Sequence, residues 1–293
     1  MMLKEKVEHS IKLLKTYEDV ALSRCPKGYI VGYSGGKDSD ALVELFFISG
    51  VKFHIIHNHT TIDAPETVYY IRKRMKEFES RGATTEIIYP EKTIWQLIAD
   101  KGIFPTRLTR FCCSELKEKK KPEYRHAVYS FGVRKAESVK RAKNRDEIEM
   151  RNNISKKSQN FRFDDEDCKV IDTCYSNNYV VVNPIVDWTE KDVYQFLESV
   201  GLDKSKLNPL YSKGQCRVGC IGCPMSSNQK ADLSFYPKYK QAYINVANKI
   251  LNGGGCTLPF KNGEEFIDWW TSSLSIDDWK HLHDLKENQI KMF

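Results

Sequence analysis

The sequence predicts an α/β fold: a mostly parallel, doubly wound sheet with a helical C-terminal extension. Three observations predict it. Short apolar runs alternate with amphipathic stretches from residue 29 onward, the pattern of strands joined by crossover helices. A glycine pair, Gly35-Gly36, separates the first apolar run from the first helical one. The C-terminal region from residue 230 has helical periodicity and carries Trp269, Trp270 and Trp279.

The elements follow in order. Residues 1–14 carry Glu5 and Glu8 and no apolar signal core. They read as an amphipathic helix, not a signal or transit peptide, which makes the expected location cytoplasmic. A buried strand at 29–33 leads to a buried helix at 40–49. A strand at 53–57 leads to a helix over 65–81, where Val68, Ile71, Met75 and Phe78 share one stripe and Gly82 marks the end. A third strand at 85–89 precedes a helix at 93–100. Further strands fall at 127–131 and 179–182. Thr189 caps a following helix, with Asp192 three residues on. Residues 140–168 are polar and poor in aliphatics, and read as a long mobile insertion or lid. The expected division is an N-terminal helix (1–27), a sheet domain (28–226) and a helical region (227–293).

Composition narrows the class. The chain has 293 residues, 41% of them hydrophobic, enough for a substantial core. No run of 18 apolar residues exists to span a membrane. A net charge of +7 suits an anionic partner, from ATP up to tRNA or DNA. Basic residues gather in 117–125 and 134–145, where a solvated face and a contact surface are both open readings. Nine cysteines, an odd number, argue against a secreted disulfide framework and for metal or redox chemistry.

The string Ser34-Gly35-Gly36-Lys37-Asp38-Ser39 lies between a strand and a helix. The glycines leave backbone N–H groups facing outward, and the helix start adds its positive dipole end. Lys37 adds a cation; Ser34 and Ser39 add hydroxyls. Such a turn suits phosphate or pyrophosphate. It lacks the Gly-x4-Gly-Lys-Ser/Thr spacing of a Walker A loop. A second constellation is Cys112-Cys113 together with Cys216, Cys220 and Cys223 in a CxxxCxxC run. Four thiolates hold zinc or an iron–sulfur cluster, so five cysteines compete for four positions. Cys220 and Cys223 are the firmest candidates. The CxxxCxxC spacing also matches the radical-SAM motif, but too little chain follows it for a partial barrel. His57 and His59 share one side of a strand end, with His54 on the other. They fit a ligand pocket or loose packing better than a metal site.

The string SGGKDS is identical to the PP-loop of the ATP pyrophosphatases, within the adenine nucleotide α-hydrolase-like superfamily. In order along the chain, YSGGKDSDALVEL, HNHTTIDAPET, RFCCSELK, FGVRKAESVKR, NPIVDWTEKDVYQFL and NPLYSKGQCRVGCIGCP resemble the phosphoadenosine phosphosulfate (PAPS) reductase family over residues 28–226. The resemblance implies ATP cradled by Ser34, Gly35, Gly36, Lys37, Asp38 and Ser39, with Asn58 and Thr60 near the adenosine. It implies that Gly132 and Arg134 close over the nucleotide, that Arg141 reaches its anionic end, and that Lys37, Asp38 and Arg134 serve the chemistry. It favours a 4Fe-4S cluster over structural zinc, and Mg²⁺ near Asp38 if pyrophosphate leaves.

Two departures from the family pattern matter. The C-terminal Glu-Cys-Gly-Leu/Ile-His segment of the assimilatory reductases is missing, since residues 287–293 contain no thiol. Cys256, after three glycines, is the substitute thiol if one is needed. The complete SGGKDS resembles ATP-cleaving members more than reductases. The expected activity is therefore adenylation of a substrate, with release of pyrophosphate, for sulfur transfer. The acceptor would be a nucleic acid or a small molecule, and a protein would donate the sulfur. Sulfonucleotide reduction and a non-catalytic nucleotide and iron–sulfur subunit are the rivals.

Overall fold

The computed structural model describes residues 2–119, 121–152, 158–163, 178–253 and 258–290. The chain folds as two units. The first comprises Met1–His59, Pro65–Tyr89 and Lys119–Val218; the second comprises Thr60–Ala64, Pro90–Glu118 and Gly219–Phe293.

The first unit is built on a seven-stranded sheet. Its strands are β1 (Tyr29–Gly32), β2 (Phe53–Asn58), β3 (Thr84–Ile88), β4 (Val128–Phe131), β5 (Ile148–Asn152), β6 (Ser158–Phe161) and β7 (Asn178–Val182). They lie in the order β3-β2-β1-β4-β7-β5-β6. The pairs β1–β2, β2–β3, β1–β4 and β4–β7 are parallel, whereas β5 runs antiparallel to β7 and to β6. The sheet is thus the mostly parallel α/β sheet that the sequence predicts. From β1 the chain winds outward to β2 and β3, then returns to place β4 on the other side of β1. The order reverses between β1 and β4, and ligands bind at such switch points, beyond the carboxyl ends of the strands.

Helices α1 (Leu3–Thr16), α2 (Glu18–Arg24), α3 (Lys37–Ser49), α4 (Pro65–Ser80), α6 (Val139–Asn144), α7 (Glu190–Ser199) and α8 (Pro209–Ser212) belong to this unit. The α3 stretch is buried almost throughout, with Ala41, Leu42, Val43, Leu45 and Phe46 fully inaccessible. The Leu, Val and Phe side chains among them are each worth roughly 1.5–3 kcal/mol when fully buried. Residues 1–27 are no separate element: Leu13 and Leu14 of α1 lie in the same core as β1 and α3. The Tyr29 hydroxyl donates to the Leu14 carbonyl at 2.7 Å.

The stretch 140–168, expected to be a mobile insertion, supplies most of α6 and the strands β5 and β6, of which β6 forms the sheet edge. Its pattern is hard to read because only one face of β5 is apolar. Ile148 and Met150 enter the core. Glu149, on the other face and also fully buried, accepts from Asn183 Nδ2 at 2.7 Å and from the guanidiniums of Arg145 and Arg151. Residues 153–157 and 164–168 of this stretch lie outside the described residues.

The second unit is helical. It contains α5 (Ile94–Lys101), a π-helical turn at Cys113–Lys117, α9 (Gln229–Phe235), α10 (Pro237–Asn252), α11 (Gly263–Ser272) and α12 (Ile276–Ile290). Thr93 caps α5 by accepting from the Gln96 amide. The core of this unit is aromatic. Phe104 packs against Tyr243, Phe266 and Trp270, and Trp95 meets Tyr243 edge-on at 4.5 Å. The expected 227–293 region therefore joins segments from earlier in the chain instead of standing alone. Among the described residues no helix is long and apolar enough to cross a membrane.

Candidate nucleotide site and thiol cluster

The turn after β1 is held open by glycine. Gly35 has φ +72°, in the left-handed region, and a Cβ there would come within 2.7 Å of Ile71 Cγ1. Gly36 caps α3. The Ser39 hydroxyl reaches back to this turn, accepting from the amides of Gly36 (3.1 Å) and Ser34 (3.3 Å) and donating to the Gly36 carbonyl (2.8 Å). Asn208 fixes the turn from α8: its Nδ2 donates to the Gly35 carbonyl at 3.0 Å and to Thr67 Oγ1 at 3.1 Å. The Lys37 amide, at the first turn of α3, donates to the Tyr211 hydroxyl at 3.0 Å.

The turn after β4 closes on the same helix start. A Cβ on Gly132 would lie 2.7 Å from the Asp38 carbonyl oxygen. Only glycine lets these two backbones approach. Next to it Arg134, 4% exposed, donates from Nε to Asp38 Oδ1 at 2.7 Å. Lys37, equally buried, places Nζ 3.2 Å from Glu190 Oε1 and 3.9 Å from Asp38 Oδ2. The rings of Tyr194 and Tyr211 flank that ammonium.

Further arginines gather here. Glu137 takes the backbone amide of Arg134 at 3.1 Å, ion-pairs with Arg141 and lies 3.5 Å from Arg217. The pKa of Arg141 is lowered, first by burial and then by the charges of Arg217, Arg145 and Arg134, partly offset by Asp38. Three arginines thus gather around the Asp38 and Glu137 carboxylates, an excess of positive charge that suits an anion.

Beneath the turn lies a buried ionic network. Asp40 accepts from the hydroxyls of Tyr33 and Tyr70, each at 2.8 Å, and from Arg74 Nε at 3.3 Å. Arg74 also reaches Glu44 at 2.9 Å, and Arg81 donates twice to the same carboxylate at 2.8 Å. Burial pushes the Asp40 carboxyl up to about 6, against the opposing pull of Arg74 and the two phenols. These groups fix the start of α3 relative to α4.

At the ends of β2 and β3 a shallow recess is lined by His57, His59, Ile71, Arg72 and Tyr89. His57 Nδ1 lies 2.9 Å from the Tyr33 carbonyl, and His59 packs against Tyr89. His54 sits at the opposite end of β2, 2.7 Å from Thr84 Oγ1, with its pKa lowered first by burial and then by Lys27. Asn58 ends β2 and pairs in register with Ile88.

The second unit holds Cys112, Cys113, Cys220 and Cys223. Cys220 forms an isolated bridge with Asp63, and the Ile221 amide donates to the Ile62 carbonyl at 2.8 Å. Thr60, expected near the adenosine, falls in this unit, with its hydroxyl 3.6 Å from Cys220 Sγ. Gly222 (φ +69°) completes the turn between Cys220 and Cys223, tight against Leu233 and Tyr243. Arg110 donates to Cys113 Sγ at 3.4 Å. A hydrogen bond from Cys112 and this guanidinium hold the Cys113 thiol down near 5, while the same contact with Cys113 pushes Cys112 up. Burial raises the Cys220 thiol, opposed by Lys117, whose own pKa is raised chiefly by that sulfur.

Among the described residues no three His, Cys, Asp or Glu side chains stand in an arrangement that holds a metal ion. The donor set nevertheless suits an iron–sulfur cluster in kind. Its sulfurs perturb one another's ionisation, and cations stand beside them to favour thiolate. Cys216, the fifth candidate, is exposed and belongs to the first unit. Cys256, Cys168 and Cys174 lie outside the described residues.

Comparison with known proteins agrees with this architecture. Residues 28–226 match the model of the phosphoadenosine phosphosulfate reductase domain. The chain belongs to that family. Two uncharacterised proteins of Methanocaldococcus jannaschii are similar to it. One is 26% identical across 98% of this chain and 62% of its own length; the other is 28% identical across 79% and 42%. The chain therefore spans about half the length of these relatives.

Among solved structures, a PAPS reductase from Candida auris in a phosphate complex is 14% identical (TM-score 0.47), covering 72% of this chain and 87% of its own. The U34-tRNA thiolase NcsA from Methanococcus maripaludis, solved with its 4Fe-4S cluster, is 14% identical (TM-score 0.45), covering 90% and 80%. Candida glabrata FMN adenylyltransferase with ATP is 10% identical (TM-score 0.43), covering 74% and 61%. None of these distant likenesses bears on the activity of this PAPS reductase family member.

The first unit thus gathers Ser34, Gly35, Gly36, Lys37, Asp38, Ser39, Gly132, Arg134 and Arg141 around one switch point. Reading by sequence missed Asn208, Tyr211, Glu137, Glu190, Tyr194 and Arg217. Asn208 and Tyr211 stand in the NPLY string just ahead of the cysteine run, and an Asn-Pro pair opening a short helix was the available signal.

Proposed function

We propose that this chain binds ATP at the 34–39 turn and transfers its adenylyl group to an acceptor, as the activating step of a sulfur transfer. The observation that supports it best is the complete cradle at the β1–β4 switch point. It combines a glycine turn at a helix start, the buried Lys37, and an arginine set (Arg134, Arg141, Arg217) that exceeds its carboxylates. An acceptor oxygen would attack the α-phosphorus while the bond from that phosphorus to the bridging oxygen breaks. The electron pair leaves with pyrophosphate, whose charge Lys37 and the α3 dipole would stabilise. Arg134 and Arg141 would hold the anionic end, and the recess at His57 and Tyr89, beside Asn58, would take the base. A Mg²⁺ ion bridging the phosphates would find Asp38 within reach.

Cys112, Cys113, Cys220 and Cys223 would hold a 4Fe-4S cluster, which leaves Cys216 outside it. Such a cluster would supply redox chemistry, and binding sulfur at an iron would require one of these four thiolates to stay off the cluster. The chain's own contribution there is Arg110, which favours the Cys113 thiolate, and Lys117, which opposes the rise that burial imposes on Cys220. The acceptor is a nucleic acid or a small molecule, served by a sulfur-donor protein, in the cytoplasm.

Pyrophosphate release from ATP by anaerobically prepared protein tests the reading. Lys37→Ala should abolish it, and unaltered release would overturn the assignment. The family match favours one second reading, reduction of adenylyl sulfate or PAPS. Sulfite formed from either substrate with a thiol donor, and lost in Cys256→Ser, would support it.

A further inference from the structure

At the first turn of α3 the two donors of Lys37 each already face a protein oxygen. The amide donates to the Tyr211 hydroxyl at 3.0 Å, and Nζ lies 3.2 Å from Glu190 Oε1. Lys37 is buried, whereas the Glu190 side chain is 62% exposed at the first position of α7. Glu190 has no part in capping that helix. Thr189 and Asp192 form the capping box, and Asp192 also pairs with Lys6 at 2.6 Å. Among the described residues, the one ion pair of the Glu190 carboxylate is with the lysine of the phosphate cradle.

We propose that Glu190 is a specificity-determining residue that occupies Lys37 in place of a phosphate and must be displaced when a phosphorylated ligand binds. The inference rests on the reading of 34–39 as a phosphate turn. A carboxylate is a weaker, singly charged substitute for a polyphosphate. It neutralises a buried ammonium at rest and swings into solvent at small cost, because most of it is already there. Ligands whose phosphates reach Lys37 must compete with it; ligands that do not reach Lys37 pay nothing. Glu190 thereby sets a threshold of negative charge. Pyrophosphate and ATP can meet it, and adenosine never encounters it.

The test uses the full chain and calorimetric titration with inorganic pyrophosphate, ATP and adenosine. Glu190→Gln keeps size and hydrogen-bonding capacity while removing the charge. It should tighten pyrophosphate and ATP by about two- to fivefold, the range of a partly exposed ion pair. Adenosine binding should not change. Glu190→Ala should act in the same direction, and thermal unfolding of both variants should stay close to that of the unaltered protein. If the unaltered protein binds neither pyrophosphate nor ATP, the phosphate-turn reading itself fails. If it binds them and the Gln variant binds them equally or more weakly, that reading stands and the competition is overturned. Equal tightening of adenosine would also overturn it, because a general loosening of the site would then explain the effect.

Discussion

The two units manage their cations in different ways. In the sheet unit, charge is met by charge of the opposite kind: Arg134 with Asp38, Arg74 and Arg81 with Glu44, Arg141 and Arg217 with Glu137. Such a network is rigid and holds a turn in one geometry. In the helical unit, Arg110 and Lys117 face sulfur. Thiols are poor hydrogen-bonding partners, so those cations do less to fix geometry and more to lower the cost of thiolate. Burial of ions therefore means different things here: in the first unit it builds a scaffold, and in the second it sets the state of a donor atom.

The sharpest way to break this comparison is to disable each set separately. Lys37→Ala should remove pyrophosphate release while leaving the iron content of an anaerobic preparation unchanged. Cys220→Ser and Cys223→Ser should remove the iron while leaving nucleotide binding within about twofold. Cys216→Ser should retain it. Loss of iron in the Cys216 variant would return that residue to the ligand set and undo the grouping of four thiols in one unit.

Backbone closeness is the next lever. Gly132→Ala forces a Cβ to 2.7 Å from the Asp38 carbonyl, so the β4 turn or the α3 start must move. Nucleotide affinity should fall at least tenfold, since displacements of about 1 Å cost that much at positioned sites. Gly50, at φ +72° with open space around it, is the control. Its alanine variant should cost about 1 kcal/mol of stability through backbone strain, with affinity unchanged.

The sheet and its principal turn were legible because the residues there obey local rules. Apolar runs at 29–33 and 53–57 are strands buried on both faces, and Gly35 is needed for its own φ. The arginine set was half legible. Arg134 and Arg141 stand in one motif, whereas Arg217 comes from a distant segment and is joined to them only through Glu137. The β5 and β6 strands were hidden because Glu149, a charged residue, is fully buried in the middle of one. A polar pattern normally means solvent, and here it means a network satisfied by Asn183, Arg145 and Arg151. The division into units was illegible for a topological reason. Residues 60–64 and 90–118 leave the sheet between consecutive strands, and no change of composition marks the departure.

The last expected effect concerns acid stability and separates scaffold from site within the first unit. Asp40 titrates near 6 in the folded protein, above the ordinary aspartate value of about 3.8, because burial opposes its charge. A folded pKa above the unfolded one means that the unfolded chain holds fewer protons in this window. Asp40's contribution is fully present below about pH 4 and is lost as pH rises through about 6, by at most roughly 3 kcal/mol. Glu86, Asp187 and Asp192, whose pKa values are lowered by hydrogen bonds and ion pairs that outweigh desolvation, act in the opposite sense. Their contribution is present above the ordinary carboxylate range and lost as pH falls below it. Glu149, pushed up to about 7 by burial, acts in the same sense as Asp40, so denaturant melts of the full chain from pH 4.5 to 7 should lose stability with rising pH, and Asp40→Asn should reduce that slope. If the slope is undiminished in the variant, burial has not shifted Asp40, and the paired charges of Arg74 and the two phenols govern it instead. In that case the network beneath the phosphate turn would be ionised throughout the range.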